Sequence, residues 1–314
     1  MLHDGGRFQM NVAQSLGYGP QDRLLIINAD DYGLCHSTNS GIQSLLQDGV
    51  VSSATIMMPC AWAREAALWS ARHSQLDVGV HLTFTSEWSA MKWGPVYRDG
   101  PVDSLVTSEG YFCKDAKSFE RQADPVQVRQ ELNAQIKMAL QLGVNLTHAD
   151  NHMGSLYGLQ TGRNFLKQVL EVCANYGLPF RLPRNLLLEN GQLAPAELAN
   201  QARKHAEEAD RLGVVVLDYL LGLPFRSQAN ETYDSFKVEM IKLLQHLHPG
   251  VSEIIIHPSL VTDELYAFHE EPLKRGMELE LFRDPDIQET IRAEGIIPVK
   301  WRDLRALQRS QTRP

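Results

Sequence analysis

Two neighbouring carboxylates stand at the end of a short apolar run. Leu24-Leu25-Ile26-Ile27 leads directly into Asn28-Ala29-Asp30-Asp31-Tyr32-Gly33. Four apolar residues without alternation read as a strand buried on both faces, as in a parallel sheet. Paired carboxylates there repel each other and lose hydration unless a cation or strong donors meet them. A turn or capping role before Gly33 is the plain alternative. Three later runs shift the balance, because each also ends in residues that can bind a metal. Residues 76–84 carry His81, residues 144–150 run into His148-Ala149-Asp150-Asn151-His152, and Ile254-Ile255-Ile256 ends in His257-Pro258. Any one of these histidines reads as an ordinary core, strand-edge or turn residue. Parallel strands would bring all of the termini to one barrel mouth.

The residue types name the chemistry. One carboxylate and two neutral imidazoles make an open three-ligand site, the pattern of catalytic zinc and related divalent ions. Such an ion lowers the pKa of water and polarises a carbonyl. A second carboxylate can take the proton of the attacking water, and a histidine opposite can hand one to the leaving group. Metal-assisted hydrolysis of an amide or ester is the reaction class that fits. A glycosidase using Asp30 and Asp31 as its carboxylate pair is the enzymatic alternative, although adjacent residues seldom flank a bond about 5–9 Å across. A sugar-binding protein that keeps the pocket without the catalysis is the other.

Strand-like and helix-like segments alternate in about eight pairs, the pattern of an α/β (β/α) barrel, distorted or incomplete. Expected strands include residues 54–58, 214–217 and 296–299; an expected helix after the Asp pair is capped by Ser37 and ended by Gly49. No G-x-G-x-x-G follows the first strand, which argues against a dinucleotide fold. Residues 1–21 are polar and Gly-rich and read as a flexible leader; residues 22–314 read as one catalytic domain. Within it, residues 85–124 lack periodicity but hold Trp88, Trp93 and Tyr97, too aromatic for disorder. A loop of that length reads as a functional lid.

The net charge of −8 argues against a nucleic-acid partner. No apolar run approaches a membrane span. Four scattered cysteines without C-x-x-C spacing fit reduced thiols in a cytoplasmic protein. A homo-oligomer is compatible with all of this.

Taken together, Asn28-Ala29-Asp30-Asp31-Tyr32-Gly33, Gly79-Val80-His81-Leu82, Thr147-His148-Ala149-Asp150-Asn151-His152, Arg181-Leu182-Pro183 and His257-Pro258 resemble the YdjC-like carbohydrate deacetylases. That family includes chitooligosaccharide deacetylase and hopanoid-biosynthesis-associated deacetylases. The resemblance runs from about Leu24 to Leu304, with all motifs in family order. It implies a barrel-like fold similar to polysaccharide deacetylases and one divalent ion, Mg2+ or Zn2+. The implied reaction removes acetyl from an N-acetylated sugar, oligosaccharide or glycolipid. Carried over by position, Asp31, His81 and His152 look like metal ligands, Asp30 like the base and His257 like the acid. His148, Asp150 and Arg181, with the three aromatic residues, are placed around them as supporting or substrate-binding groups. Gly154 departs from the family pattern, where a histidine is common, and the segment 184–232 looks longer than in the chitooligosaccharide branch; both bear on the substrate.

Overall fold

The apolar run at Leu24 extends into a ten-residue strand, β1 (Arg23–Tyr32), buried at every position after Arg23. The structure is a computed structural model that describes residues 11–187 and 193–311. The other strands are β2 (Ser53–Ile56), β3 (Asp77–Leu82), β4 (Leu146–Asn151), β5 (Tyr219–Leu221), β6 (Gly250–Ile256) and β7 (Ile297–Pro298). All pair in parallel in the order β4-β3-β2-β1-β6-β5, with β7 against the first residues of β1. The helices are α1 (Val12–Ser15), α2 (His36–Asp48), α3 (Ala63–Arg72), α4 (Ala116–Gln122), α5 (Pro125–Gln141) and α6 (Leu166–Tyr176). They continue with α7 (Ala196–Arg211), α8 (Tyr233–Gln245), α9 (Asp263–Tyr266), α10 (Pro272–Leu281), α11 (Pro285–Ala293) and α12 (Trp301–Gln311).

The sheet curls into an irregular barrel, as expected. Its two edges, β4 and β5, are spanned by main chain too short for full ladders. Phe180 pairs with Ala149, and Pro183 with Leu217. The Phe180 N–H donates to the Val215 carbonyl (3.1 Å) and the Arg184 N–H to that of Leu217 (2.9 Å). The strand expected at 214–217 is therefore a buried extended segment, and the ladder begins two residues later at β5.

Alternation along β1 separates two cores. Leu25, Ile27 and Ala29 join the large core between sheet and helices. Leu24 and Ile26 join Val215, Leu217, Val251, Val299, Trp301 and Leu304, which close one end of the barrel interior. The same alternation turns Asn28 and Asp30 inward at the other end. Apolar packing at the bottom and carboxylates at the mouth are thus one strand's successive inward residues.

Local differences from expectation have local causes. Cys35, not Ser37, caps α2: its Sγ accepts from the Thr38 N–H, while Ser37 Oγ and N–H donate to Glu264 (2.6 and 2.8 Å). Gly49 ends the helix at φ +70°, as expected. In residues 11–21, α1 is capped by Asn11, and Val12 and Ala13 are buried in the barrel-bottom cluster. Within 85–124 the chain forms α4 and one short antiparallel pair, Val106 with Phe112. Among the described residues no helix is long and apolar enough to cross a membrane, and all four cysteines are free and buried.

Candidate metal centre

β1, β3 and β4 deliver Asp31, His81 and His152 to one point. His81 Nε2 lies 3.4 Å from Asp31 Oδ1, His152 Nδ1 lies 3.3 Å from it, and the two nitrogens are 3.3 Å apart. The three side chains are buried, yet Asp31 Oδ1 accepts no aligned hydrogen bond. A tetrahedral ion with ligand bonds of about 2.1 Å separates its ligand atoms by about 3.4 Å. These three atoms could therefore hold a metal ion with almost no movement.

The backbone is bent to achieve this. Asp31 sits at φ +64° and Met153, next to His152, at φ +53°. Left-handed conformations of such residues cost free energy and persist where the surroundings impose them. Gly154 follows at φ +62°, a conformation that suits glycine.

Behind the triad lies a charged network. Arg181 donates from Nη1 to Asp30 Oδ2 and from Nη2 to Asp30 Oδ1, both at 2.7 Å. Its Nη2 also lies 2.8 Å from Asp150 Oδ2 and from Glu253 Oε1. Asn28 Nδ2 donates to Asp30 Oδ1 (2.7 Å), and Thr55 Oγ1 donates to Asp150 Oδ2 (2.9 Å). His81 Nδ1 meets Asp150 Oδ1 at 2.7 Å, so Asp150 fixes the ring with Nε2 toward Asp31. His152 is held likewise from the other side, with Nε2 at 3.0 and 3.2 Å from the two Glu87 oxygens.

The titrations follow from these contacts. Burial raises the Asp30 carboxyl, but Arg181 and His81 outweigh it and bring it to about 2. Burial likewise opposes ionisation of Asp31, and His152 and His81 hold it well below the usual range. Burial pulls His81 down, yet Asp150 and Asp30 lift it to about 9. Against burial, Glu87 and Asp31 hold His152 well above the usual value. Glu253 is pushed up to about 7 by burial in spite of Arg181. An ion entering this site must displace protons from imidazoles.

His257 follows β6 at the mouth. Its N–H donates to Glu278 Oε2 (3.1 Å), its ring stands edge-on to Phe225 (4.9 Å), and burial lowers its pKa while Asp31 partly offsets this. Trp93 is buried 6.2 Å from the His152 ring, and Trp88 packs 4.4 Å from His269. Two expected members lie elsewhere. His148 stacks flat on Trp301 (4.6 Å), meets Thr147 Oγ1 at 2.9 Å and faces the closed end of the barrel. Its neighbour Gly79 leaves no room for a Cβ against that ring. Tyr97 lies along α5, its N–H donating to Glu131, beside a shallow cavity with Arg129, Gln130 and Asn133. Sequence reading missed Glu87, Glu253 and His269. Glu253 was findable: inside the buried run Val251 to Ile256, only an inward carboxylate with a partner is tolerable.

The chain as a whole is similar to several known proteins. A family model described as YdjC-like protein matches residues 24–293. A carbohydrate deacetylase of Thermoanaerobacter pseudethanolicus is 26% identical over 90% of this chain and 100% of its own. One from Thermus thermophilus is 29% identical over 94% of this chain and 98% of its own. A chitooligosaccharide deacetylase of Yersinia enterocolitica is 38% identical, over 42% of this chain and 49% of its own. A solved structure from Enterococcus faecalis, named for cellobiose-phosphate cleavage, superposes with a TM-score of 0.71 at 26% identity, covering 90% of this chain and 99% of that one.

Proposed function

We propose that this chain, which belongs to the YdjC-like protein family, is a metal-dependent hydrolase that removes the acetyl group from an N-acetylated sugar, oligosaccharide or glycolipid. The observation that carries the reading is the Asp31–His81–His152 triad, three ligand atoms 3.3–3.4 Å apart at the barrel mouth. The names of the full-length relatives supply the substrate class.

Asp31, His81 and His152 would hold the ion, and the two imidazoles favour zinc over magnesium. When bound, the ion supplies a Lewis acid and makes water a stronger acid. Asp30 is the base. Its Oδ1 is taken up by Arg181 and Asn28, while Oδ2, bound only to Arg181, lies 3.9 Å from His81 Nε2. Arg181 keeps Asp30 ionised, and Oδ2 is the oxygen with the fewer partners. His257 in its imidazolium form, which burial disfavours in the free enzyme, delivers a proton to the departing amine and is left as neutral imidazole. That proton is needed because an amide anion is a very poor leaving group. In this reading the segment 85–124 covers the bound sugar, and Trp88 and Trp93, buried against His269 and His152, back its wall.

The test is an acetate-release screen over N-acetylated monosaccharides, chitooligosaccharides and glycolipids, with metal content measured on the same protein. Acetate release from at least one, together with about one divalent ion per chain, is the expected result. Sugar cleavage without acetate would replace this reading with a glycosidase.

A further inference from the structure

The two histidines of the triad are backed by carboxylates from different parts of the molecule. Asp150 reaches His81 from within the barrel. The partner of His152 is Glu87, which lies outside the strands, in the irregular segment that follows β3. Both Glu87 oxygens lie within 3.2 Å of His152 Nε2, and the opposite nitrogen, Nδ1, faces Asp31 and His81.

Glu87 is not a free surface residue. Its neighbours Ser86 and Trp88 are buried at 0% and 6% exposure. The Ser86 N–H donates to the Cys113 carbonyl (2.8 Å), and the Trp93 N–H donates to Ser86 Oγ (3.1 Å). Trp93 Nε1 donates to the Thr85 carbonyl (2.7 Å), and Lys92 Nζ to that of Ser86 (2.7 Å). The turn that carries Glu87 is therefore held by hydrogen bonds of its own, and its carboxylate is aimed at one imidazole nitrogen.

We infer that Glu87 is a positioning residue for the metal centre: it holds His152 with Nδ1 toward the ion. The inference rests on the proposed metal site. A carboxylate on the far nitrogen of a ligating imidazole fixes the ring and raises its basicity, and losing one typically costs about 10–100-fold in affinity. Removing Asp150 would also disturb Arg181 and Thr55, whereas Glu87 touches the centre through His152 alone among the contacts seen here. That makes Glu87 the cleaner probe.

The experiment is Zn2+ titration by calorimetry, with visible absorption of the Co2+-loaded protein, on the wild type, Glu87→Ala, Glu87→Gln and Glu87→Asp. Expected are about 10–100-fold weaker Zn2+ binding in the alanine variant, a smaller loss in the glutamine variant, and partial recovery with aspartate. The Co2+ bands should shift in the alanine variant, which a merely structural role for Glu87 would not produce. Wild-type affinity and an unchanged Co2+ spectrum in Glu87→Ala would overturn the inference while leaving the metal site intact. Failure of the wild type to bind either ion would overturn the metal site itself.

Discussion

Metal affinity should fall steeply as the pH is lowered, because protons and the ion compete for the same nitrogens. The pKa of His81 is raised to about 9 and that of His152 lies well above its usual value, while Asp31 is held well below. Between pH 8 and pH 6 the histidines are therefore the ligands that titrate. With a pKa of about 9, the neutral fraction of His81 falls about a hundredfold over that interval; an unshifted imidazole at about 6.5 would fall only about fourfold. His152 adds a further loss in the same direction. Competition titrations against a chelator of known pH dependence, at constant ionic strength, would measure it. Asp150→Asn should flatten the profile, since it removes the charge that lifts His81 the most. A wild-type affinity that changes less than about twentyfold between pH 8 and pH 6 would refute the reasoning, because two unshifted imidazoles alone give about sixteenfold.

Three further outcomes follow from the same contacts. Arg181→Met should cost about 3–5 kcal/mol at pH 7 in urea unfolding, because Asp30, Asp150 and Glu253 lose their common partner. Asp30 has a depressed pKa, so its share of that stability is present above about pH 4 and lost as the pH falls through about 2, where variant and wild type should converge. Asp30→Asn should keep its metal and lose about 10²–10⁴-fold in kcat, whereas His257→Ala should lose far more on an amide than on an activated acetate ester, as kinetics on both substrates would show. Trp301→Ala, at the fully buried barrel bottom, should lower stability by about 3–5 kcal/mol in denaturant titration and leave metal stoichiometry unchanged.

The strand ends were legible because burial makes polar residues conspicuous. Asp30, Asp31, His81, His152 and His257 stand out against apolar runs, and the structure brings them to one mouth. The positions that were not legible have physical reasons. Glu87 lies in a segment without periodicity, so no pattern says where its side chain points. The barrel's irregular side is built from residues 180–184 and 214–217, each too short to announce a strand. Helix α10 was missed because its buried face carries Lys274, Arg275 and Glu278, which show no apolar stripe. Lys274 is satisfied by Glu231 at 2.7 Å, and Arg275 donates to the Phe225 carbonyl at 2.7 Å. His148 was drawn to the site by alternation with Asp150, but the same alternation put it one layer deeper, against Trp301. Tyr97 was grouped with the two tryptophans by composition, and Glu131 fixes its backbone on α5 instead.

The central claim is that the triad at the mouth hydrolyses an acetamide bond. It is tested most directly by product analysis in water labelled with heavy oxygen, using the best substrate from the screen. The protein would be assayed as purified, after chelation, after return of Zn2+ or Mg2+, and as the His81→Ala variant. Expected is one labelled acetate for each free amine formed, with the sugar chain intact, activity lost on chelation and in the variant, and activity restored by metal only in the wild type. Label appearing at a sugar carbon, or acetate release that survives both chelation and His81→Ala, would contradict it.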